Sequence, residues 1–226
     1  MRLSRVLGAV LTVVALTSAG CTRAIDGTAV ANGGPPPSAI TADGYGIIIG
    51  YPDARVRIEV YTEPQCPACA RLQSQYGDEM AKYIASGELA VTYRPMTFID
   101  GQTGTDYSAH VSNALFLAAG DGTTGTSFQT FVEDVWGHQQ PEGSAGPSDP
   151  DLTDMARESG IGESHVSKIA SAESGVAVAE MDSYNSARLS ETAGSGGTPT
   201  VYDLVAEQQV ELVDNWLSEL MHQLSG

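Results

Sequence analysis

The clearest pattern of apolar and polar positions in this chain lies between residues 55 and 96. Residues 55–61 alternate apolar and polar side chains, and this period of two predicts a half-buried β-strand. A helix is predicted next, ending at Gly87, because apolar residues recur at helical spacing at Leu72, Tyr76, Met80 and Tyr83. Residues 89–96 then predict a second strand. A strand, a helix and a strand in this order predict a parallel, right-handed unit.

Residues 100–196 have a different character, because helical patterns there alternate with polar and glycine-rich connections. Residues 106–119 carry apolar side chains on one face, and residues 128–136 form a second apolar stripe, which indicates packing against neighbouring helices. Weaker amphipathic patterns cover 151–159, 162–172 and 174–192. The segment from about 100 to 196 is therefore predicted to be a helical insertion.

Shorter patterns complete the predicted fold at both ends of the domain. The apolar run at 46–50 is typical of an edge strand. After the insertion, residues 198–205 predict a loop that runs into a strand, and residues 210–212 predict a short last strand. Apolar positions between 213 and 224 predict a closing amphipathic helix. Together the patterns indicate an α/β fold.

The N-terminus carries an export pattern. Two positive charges in residues 1–5 precede an apolar run at 6–16 that is too short to span a bilayer, so residues 1–20 predict a signal peptide. Residues 17–21 resemble the bacterial lipobox, whose cysteine receives a lipid after cleavage, although Ser18 departs from the usual aliphatic residue. We interpret Cys21 as lipidated, since a free thiol would be a liability in an oxidising compartment. The alternative is ordinary cleavage, which leaves Cys21 unpaired or removes it.

Composition agrees with one soluble, exported domain after the signal peptide. Residues 21–44 are rich in Gly, Pro, Ala and Ser and lack apolar periodicity, which predicts a lipid-anchored flexible tether. The globular domain is expected at 45–226, either anchored to the cell membrane or secreted. The formal net charge of −17 repels phosphate backbones, so nucleic acid is not an expected partner.

Two cysteines three residues apart, Cys66 and Cys69, are the candidate chemistry of this domain. They fall where the first strand turns into the predicted helix, with Pro67 at its first position, so the unpaired amides of the first turn favour a thiolate on Cys66. Cys69 lies one turn further and points inward with the apolar face. The pattern therefore predicts a redox pair, with Cys66 as nucleophile and Cys69 as the resolving thiol.

Two alternatives explain the cysteine pair less well. A structural zinc site needs four ligands, and the four histidines are scattered singly without a second pair of Cys or His, so we predict no metal site. A purely structural disulfide is also disfavoured, because closing so short a loop constrains the unfolded chain little.

With these residues identified, the chain from about Gly46 onward resembles a DsbA-like member of the thioredoxin superfamily, of the lipid-anchored or secreted type found in actinobacteria. The motif Cys66-Pro67-Ala68-Cys69 matches the family's active site, and residues 197–201 match its cis-proline loop. The resemblance implies a thioredoxin fold with an inserted helical domain between the Cys-x-x-Cys half and the cis-Pro half. It also implies that Thr198 and Pro199 lie beside Cys66 and present backbone to an extended substrate peptide.

Two departures from the family pattern bear on the chemistry. Many relatives carry a buried carboxylate six residues before the first cysteine, where this chain has Val60, and Glu59 is expected to face the other way. Proton transfer to the buried thiol must then use water, Glu63 or another group. Ala68 replaces the histidine of strongly oxidising relatives, so we expect a less extreme oxidant.

The leading hypothesis is an extracytoplasmic thiol-disulfide oxidoreductase without a cofactor, which oxidises cysteines of exported proteins through a mixed disulfide on Cys66. A membrane redox recycling partner is expected to reoxidise it. One alternative is a reductase or isomerase of the same fold. Another is a non-catalytic redox-sensing module, or one that handles Cu(I) if Met96 and His110 approach the cysteines in space.

Overall fold

The computed structural model describes residues 34–194 and 196–223. The predicted signal peptide, Cys21 and the tether up to residue 33 lie outside the described residues, as do Ser195 and residues 224–226.

A mixed six-stranded sheet forms the centre of the described domain. Its strands follow the spatial order β1-β2-β4-β3-β5-β6, and only β3 and β4 pair in parallel. Their bounds are β1 Ser38–Ile40, β2 Ile47–Ile49, β3 Val56–Thr62, β4 Leu89–Pro95, β5 Thr200–Asp203 and β6 Gln208–Val210. The α/β class and the parallel pairing predicted for residues 55–96 are thus confirmed.

Helix α1, Pro67–Ser86, connects the two parallel strands and begins directly after Cys66. It buries one face, including Leu72, Met80 and Ile84, against the sheet core. The helix ends where Gly87 adopts a left-handed conformation with φ 78°, as predicted. A Cβ atom at Gly87 would also come within 3.0 Å of the Tyr51 ring, so this position favours glycine for two reasons.

Helices dominate the segment between β4 and β5, in agreement with the predicted insertion. Residues 128–136 are buried along one face of α4, which packs on α1, so the predicted role of the aromatic stripe is confirmed. The sequence patterns did not predict the short helix α2. The helices are α2 Phe98–Thr103, α3 Tyr107–Ala118, α4 Gly125–Gly137, α5 Asp149–Glu158, α6 Glu163–Ala170 and α7 Val178–Ala193.

The start of the domain differs from the expected tether. Residues 34–44 are ordered in part as strand β1, so the prediction of a flexible segment up to residue 44 is wrong for this stretch. Strand β1 lies at the edge of the sheet, and β2 lies inside it rather than at the edge. Hydrogen bonds to backbone carbonyl groups hold this stretch in place despite its Gly- and Pro-rich composition. The Pro36 carbonyl accepts from the Gly125 N–H at 2.6 Å, and the Gly34 carbonyl accepts from the Tyr51 hydroxyl at 2.5 Å.

The C-terminal part follows the predicted order. Strand β6 begins two residues before the predicted short strand, and helix α8 covers Trp216–Gln223. Among the residues that the structure describes, no helix is both long and apolar enough to cross a membrane.

Candidate active site

Cys66 and Cys69 lie at the N-terminal end of α1, immediately beyond β3. Cys66 is the N-cap residue and is half-buried, whereas Cys69 is 1% exposed and belongs to the main core cluster. Pro67 occupies the first turn, where the helix leaves backbone N–H groups unpaired. One thiol is therefore accessible and its neighbour is enclosed, which is the arrangement that the sequence pattern predicts for a nucleophile and a resolving thiol.

The surroundings of Cys66 favour its thiolate. The pKa of Cys66 is lowered to about 5, and the largest cause is the hydrogen bond from the Cys69 thiol. The Thr198 side chain and the backbone N–H groups of Cys69 and Ala68 lower it further, and together these contacts outweigh partial burial, which acts in the other direction. An unperturbed cysteine has a pKa of about 8.5. Cys66 is thus a thiolate at neutral pH, which is the reactive form in disulfide exchange.

Cys69 has the opposite electrostatic character. Burial raises its pKa well above the usual range, and the hydrogen bond and charge of Cys66 raise it further. The Thr62 side chain and the backbone N–H of Glu63, which lies 3.5 Å from the Cys69 sulfur, act in the other direction but do not outweigh burial. Cys69 therefore keeps its proton while Cys66 is ionised.

The loop before β5 comes against the Cys66 sulfur. The Thr198-Pro199 peptide bond is cis, and the Cys66 sulfur lies 3.3 Å from the Thr198 carbonyl oxygen, to which it donates when it is protonated. Pro199 and Ala68 line a shallow cleft of about 150 Å³ beside the motif, together with Arg71, Tyr76, Leu212, Val213 and Trp216. The structure thus brings together Cys66, Thr198 and Pro199, as the family resemblance implies.

Gln139, a residue of the insertion that the sequence pattern does not single out, holds the loop that carries Cys66. The Gln139 side-chain amide donates to the carbonyl oxygens of Pro64 and Cys66, at 2.8 Å and 3.0 Å. Gln65 accepts from the backbone N–H of Gly143 at 2.8 Å. No local pattern marks Gln139, since it lies in an irregular loop more than 70 residues from its partners.

Glu63 is a second feature of the site, and its side chain is fully buried. Its carboxyl group accepts hydrogen bonds from the Gln65 backbone N–H at 2.6 Å and from the Ser108 hydroxyl. Burial is the main cause that raises the pKa of Glu63 to about 7, and the charges of Asp100 and Cys66 act in the same direction. A carboxyl group with this pKa exchanges protons at physiological pH.

The residues considered for copper binding lie in other surroundings. Met96 packs with Tyr61 and Leu189 in a cluster separate from the core around Cys69, and His110 contacts Asp149 at 2.6 Å. Within residues 34–194 and 196–223, no group of three or more His, Cys, Asp or Glu side chains is arranged to hold a metal ion.

A parallel β3-α1-β4 unit, a dithiol at the start of α1, a facing cis-proline and a helical insertion together define a DsbA-type thioredoxin fold. The chain belongs to the thioredoxin family, whose model matches residues 42–212.

Solved structures agree with this fold. The thiol-disulfide oxidoreductase MdbA from Corynebacterium matruchotii superimposes with a TM-score of 0.68 at 22% identity, covering 82% of this chain and 91% of that protein. Reduced DsbA from Mycobacterium tuberculosis gives a TM-score of 0.61 at 19% identity, covering 85% and 93% of the two chains.

A curated relative is much longer than this chain. The serine/threonine-protein kinase PknE of Mycobacterium tuberculosis is 26% identical over 181 residues, which cover 78% of this chain but 31% of the kinase. The chain therefore spans about a third of the length of the curated relatives that it matches.

Proposed function

We propose that this protein is an extracytoplasmic thiol-disulfide oxidoreductase that oxidises pairs of cysteines in exported proteins. The observation that carries the proposal is the pairing of an accessible, low-pKa Cys66 with an enclosed Cys69, next to the Thr198-Pro199 backbone. The fold that this chain shares with MdbA from Corynebacterium matruchotii, a thiol-disulfide oxidoreductase, supports the same activity.

The reaction starts from a Cys66–Cys69 disulfide. A substrate thiolate attacks the Cys66 sulfur, a new bond joins Cys66 to the substrate, and the Cys66–Cys69 bond breaks, so Cys69 leaves as a thiolate and takes up a proton. A second substrate thiolate then attacks the first substrate sulfur, and Cys66 leaves as a thiolate. The substrate loses two electrons and two protons, and the protein ends reduced.

The low pKa of Cys66 favours this direction, because a stable thiolate is a good leaving group and stabilises the reduced protein. A value of about 5 lies between the values of about 7 and about 3.5 that accompany a reductant and a strong oxidant of this fold. Ala68 supplies no side-chain charge to the thiolate. We therefore propose an oxidant of intermediate strength.

The cell-surface location is part of the proposal and rests on the sequence alone. Residues 1–20 would direct export, and a lipid on Cys21 would retain the domain at the outer face of the cell membrane. A membrane partner would accept the two electrons, because the reduced protein must be reoxidised for each turnover.

Turnover on a reduced two-cysteine peptide, followed by chromatography, tests the activity directly. We expect catalysis by the wild-type protein and none by Cys66→Ser. The reduction potential of the cysteine pair, measured against a glutathione series, tests the direction. A potential above about −200 mV supports the oxidase, whereas one near about −270 mV would assign the protein to the reductases.

A further inference from the structure

The strand that leads to the redox site, β3, provides no free carboxyl group for Cys69. Val60, at the position of the family's buried carboxylate, is fully buried in the same core cluster as Cys69. The neighbouring Glu59 is engaged by Arg94 and Arg188, each at 3.0 Å. A thiol as enclosed as Cys69 still has to lose and regain a proton in each cycle, so another group has to exchange it.

Glu63 is the described carboxyl group placed for this exchange. It follows β3 directly, its backbone N–H contacts the Cys69 sulfur at 3.5 Å, and its side chain has no exposure to solvent. The charges of Cys66 and of Asp100 in α2 act on the Glu63 carboxyl group, the charge of Glu63 acts on Tyr107 of α3, and the Cys69 sulfur contacts the Glu63 backbone N–H. None of these four is a cation, so no fixed positive charge holds the Glu63 carboxylate ionised.

We propose that Glu63 exchanges the proton of Cys69, an inference that rests on the proposed function and deepens it. During reoxidation, Cys66 forms a mixed disulfide with the partner, and Cys69 then transfers its proton to the Glu63 carboxylate. The Cys69 thiolate attacks Cys66, the Cys66–Cys69 bond forms, and the partner's sulfur leaves with the electron pair. During substrate oxidation the Cys69 thiolate leaves and recovers the proton from Glu63.

The insertion sets the proton affinity of Glu63 through two positioning residues. The Ser108 hydroxyl at the start of α3 hydrogen-bonds to the Glu63 carboxyl group and lowers its pKa. The charge of Asp100 in α2 raises it. Asp100 is fixed in place because it accepts from the backbone N–H groups of Ser108 and Ala109, at 3.0 Å and 2.8 Å.

The test separates the two chemical steps of reoxidation. Reduced protein is mixed with excess oxidised glutathione, quenched with acid at intervals, and analysed by mass spectrometry for the Cys66–glutathione adduct and the final disulfide. In the wild type, the rate of the second step should rise with pH through an inflection at or somewhat below 7, where Glu63 loses its proton, because the adduct removes the Cys66 charge that helps to raise the pKa of Glu63. Glu63→Gln should prolong the adduct about 100-fold at neutral pH and remove the inflection.

Substitutions of the two positioning residues should shift the pH of the inflection in opposite directions. A merely structural role for these residues would not produce opposite shifts. Asp100→Asn should move the inflection to lower pH, and Ser108→Ala should move it to higher pH. Glu133→Gln is the matched control, because burial also raises the pKa of Glu133 but its hydrogen-bond partner is Gln129 of α4. That variant should leave the second step unchanged.

Each outcome bears on a different claim. Adduct decay in Glu63→Gln within about twofold of wild type, with the same pH profile, would overturn the role of Glu63. A wild-type protein that forms no adduct would instead overturn the proposed function, and this inference with it. If Glu63→Gln does not fold, Glu63→Asp keeps a carboxyl group. Infrared difference spectra of Glu63→Asp, recorded across neutral pH, should then show a carboxyl band whose pH midpoint equals the midpoint of the adduct's decay rate. Absence of such a band would also overturn the role of Glu63.

Discussion

Cys66 and Thr198 are 132 residues apart in sequence, yet the Cys66 sulfur lies 3.3 Å from the Thr198 carbonyl oxygen. The Thr198 hydroxyl is buried, no other group among the described residues pairs with it, and its interaction with the Cys66 sulfur lowers the pKa of Cys66. One residue of the second half of the fold therefore both contacts the nucleophile and helps to ionise it.

Replacing Thr198 with valine should make Cys66 a weaker acid. A hydrogen bond to a charged group contributes about 1.5 kcal/mol, so the pKa of Cys66 should rise by about one. The pH dependence of alkylation by iodoacetamide measures this value. Thr198→Ser keeps the hydroxyl and serves as the control, and equal profiles for the valine and serine variants would contradict a role for that hydroxyl.

Replacing Cys69 with serine should trap substrates on Cys66. Without the resolving thiol, mixed disulfides formed by Cys66 persist, and mass spectrometry of the protein isolated from cells should find partner proteins attached there. The double variant Cys66→Ser/Cys69→Ser should carry none. If no partner is bound to Cys66 in the single variant, the nucleophile assignment is wrong.

The reduced protein should become more stable between about pH 5 and about pH 8.5 through Cys66. In this range the folded protein holds a thiolate, whereas the unfolded chain holds a protonated thiol and so binds more protons. The contribution is therefore complete above the unfolded pKa and is lost as pH falls through about 5. Urea denaturation of reduced wild type and Cys66→Ser checks it, because the difference in unfolding free energy should grow with pH. A difference that stays constant would show that Cys66 has an ordinary pKa.

Removing Glu59 should destabilise the fold without touching the redox chemistry. Glu59 is 1% exposed and pairs with Arg94 and Arg188, so Glu59→Ala leaves two cations without this carboxylate and should cost about 3–5 kcal/mol. Asp154→Ala, which breaks the exposed pair with Arg157, should cost at most about 1 kcal/mol. Denaturation midpoints measure both. Equal losses would mean that burial of the Glu59 cluster adds no stability.

Replacing Cys21 with alanine should release the protein from membranes if this residue carries a lipid. Fractionation of cells and labelling with a fatty-acid analogue measure the effect, and Thr28→Ala in the same segment is the control. Continued membrane association of the Cys21 variant would contradict the anchor.

Local patterns were sufficient for much of the fold and for the two cysteines. The period of two before Cys66 and the helical spacing after it predict β3 and α1 because each pattern reflects burial of one face within a single element. The Cys66–Thr198 contact came from family resemblance, since spacing alone carries no information on residues so far apart.

Other parts of the site depend on contacts that no local pattern encodes. Ser108 and Asp100 act on Glu63 from the insertion, and each sits at or near the start of a helix where polar residues are ordinary. Strand β1 escaped prediction for a similar reason. Its neighbourhood is rich in proline and glycine, and its order depends on pairing with β2 and on backbone bonds to residues 123–125.

The docking of residues 34–37 also fixes where the described chain begins on the domain. Gly34 is bonded to Tyr51, whose ring lies against Gly87 at the far end of α1 from Cys66. A helix of 20 residues is about 30 Å long. The point where the chain continues toward Cys21 is thus at the opposite pole from the redox site. Contacts made at Gly34 and Tyr51 are therefore remote from Cys66 and leave the approach to its sulfur clear.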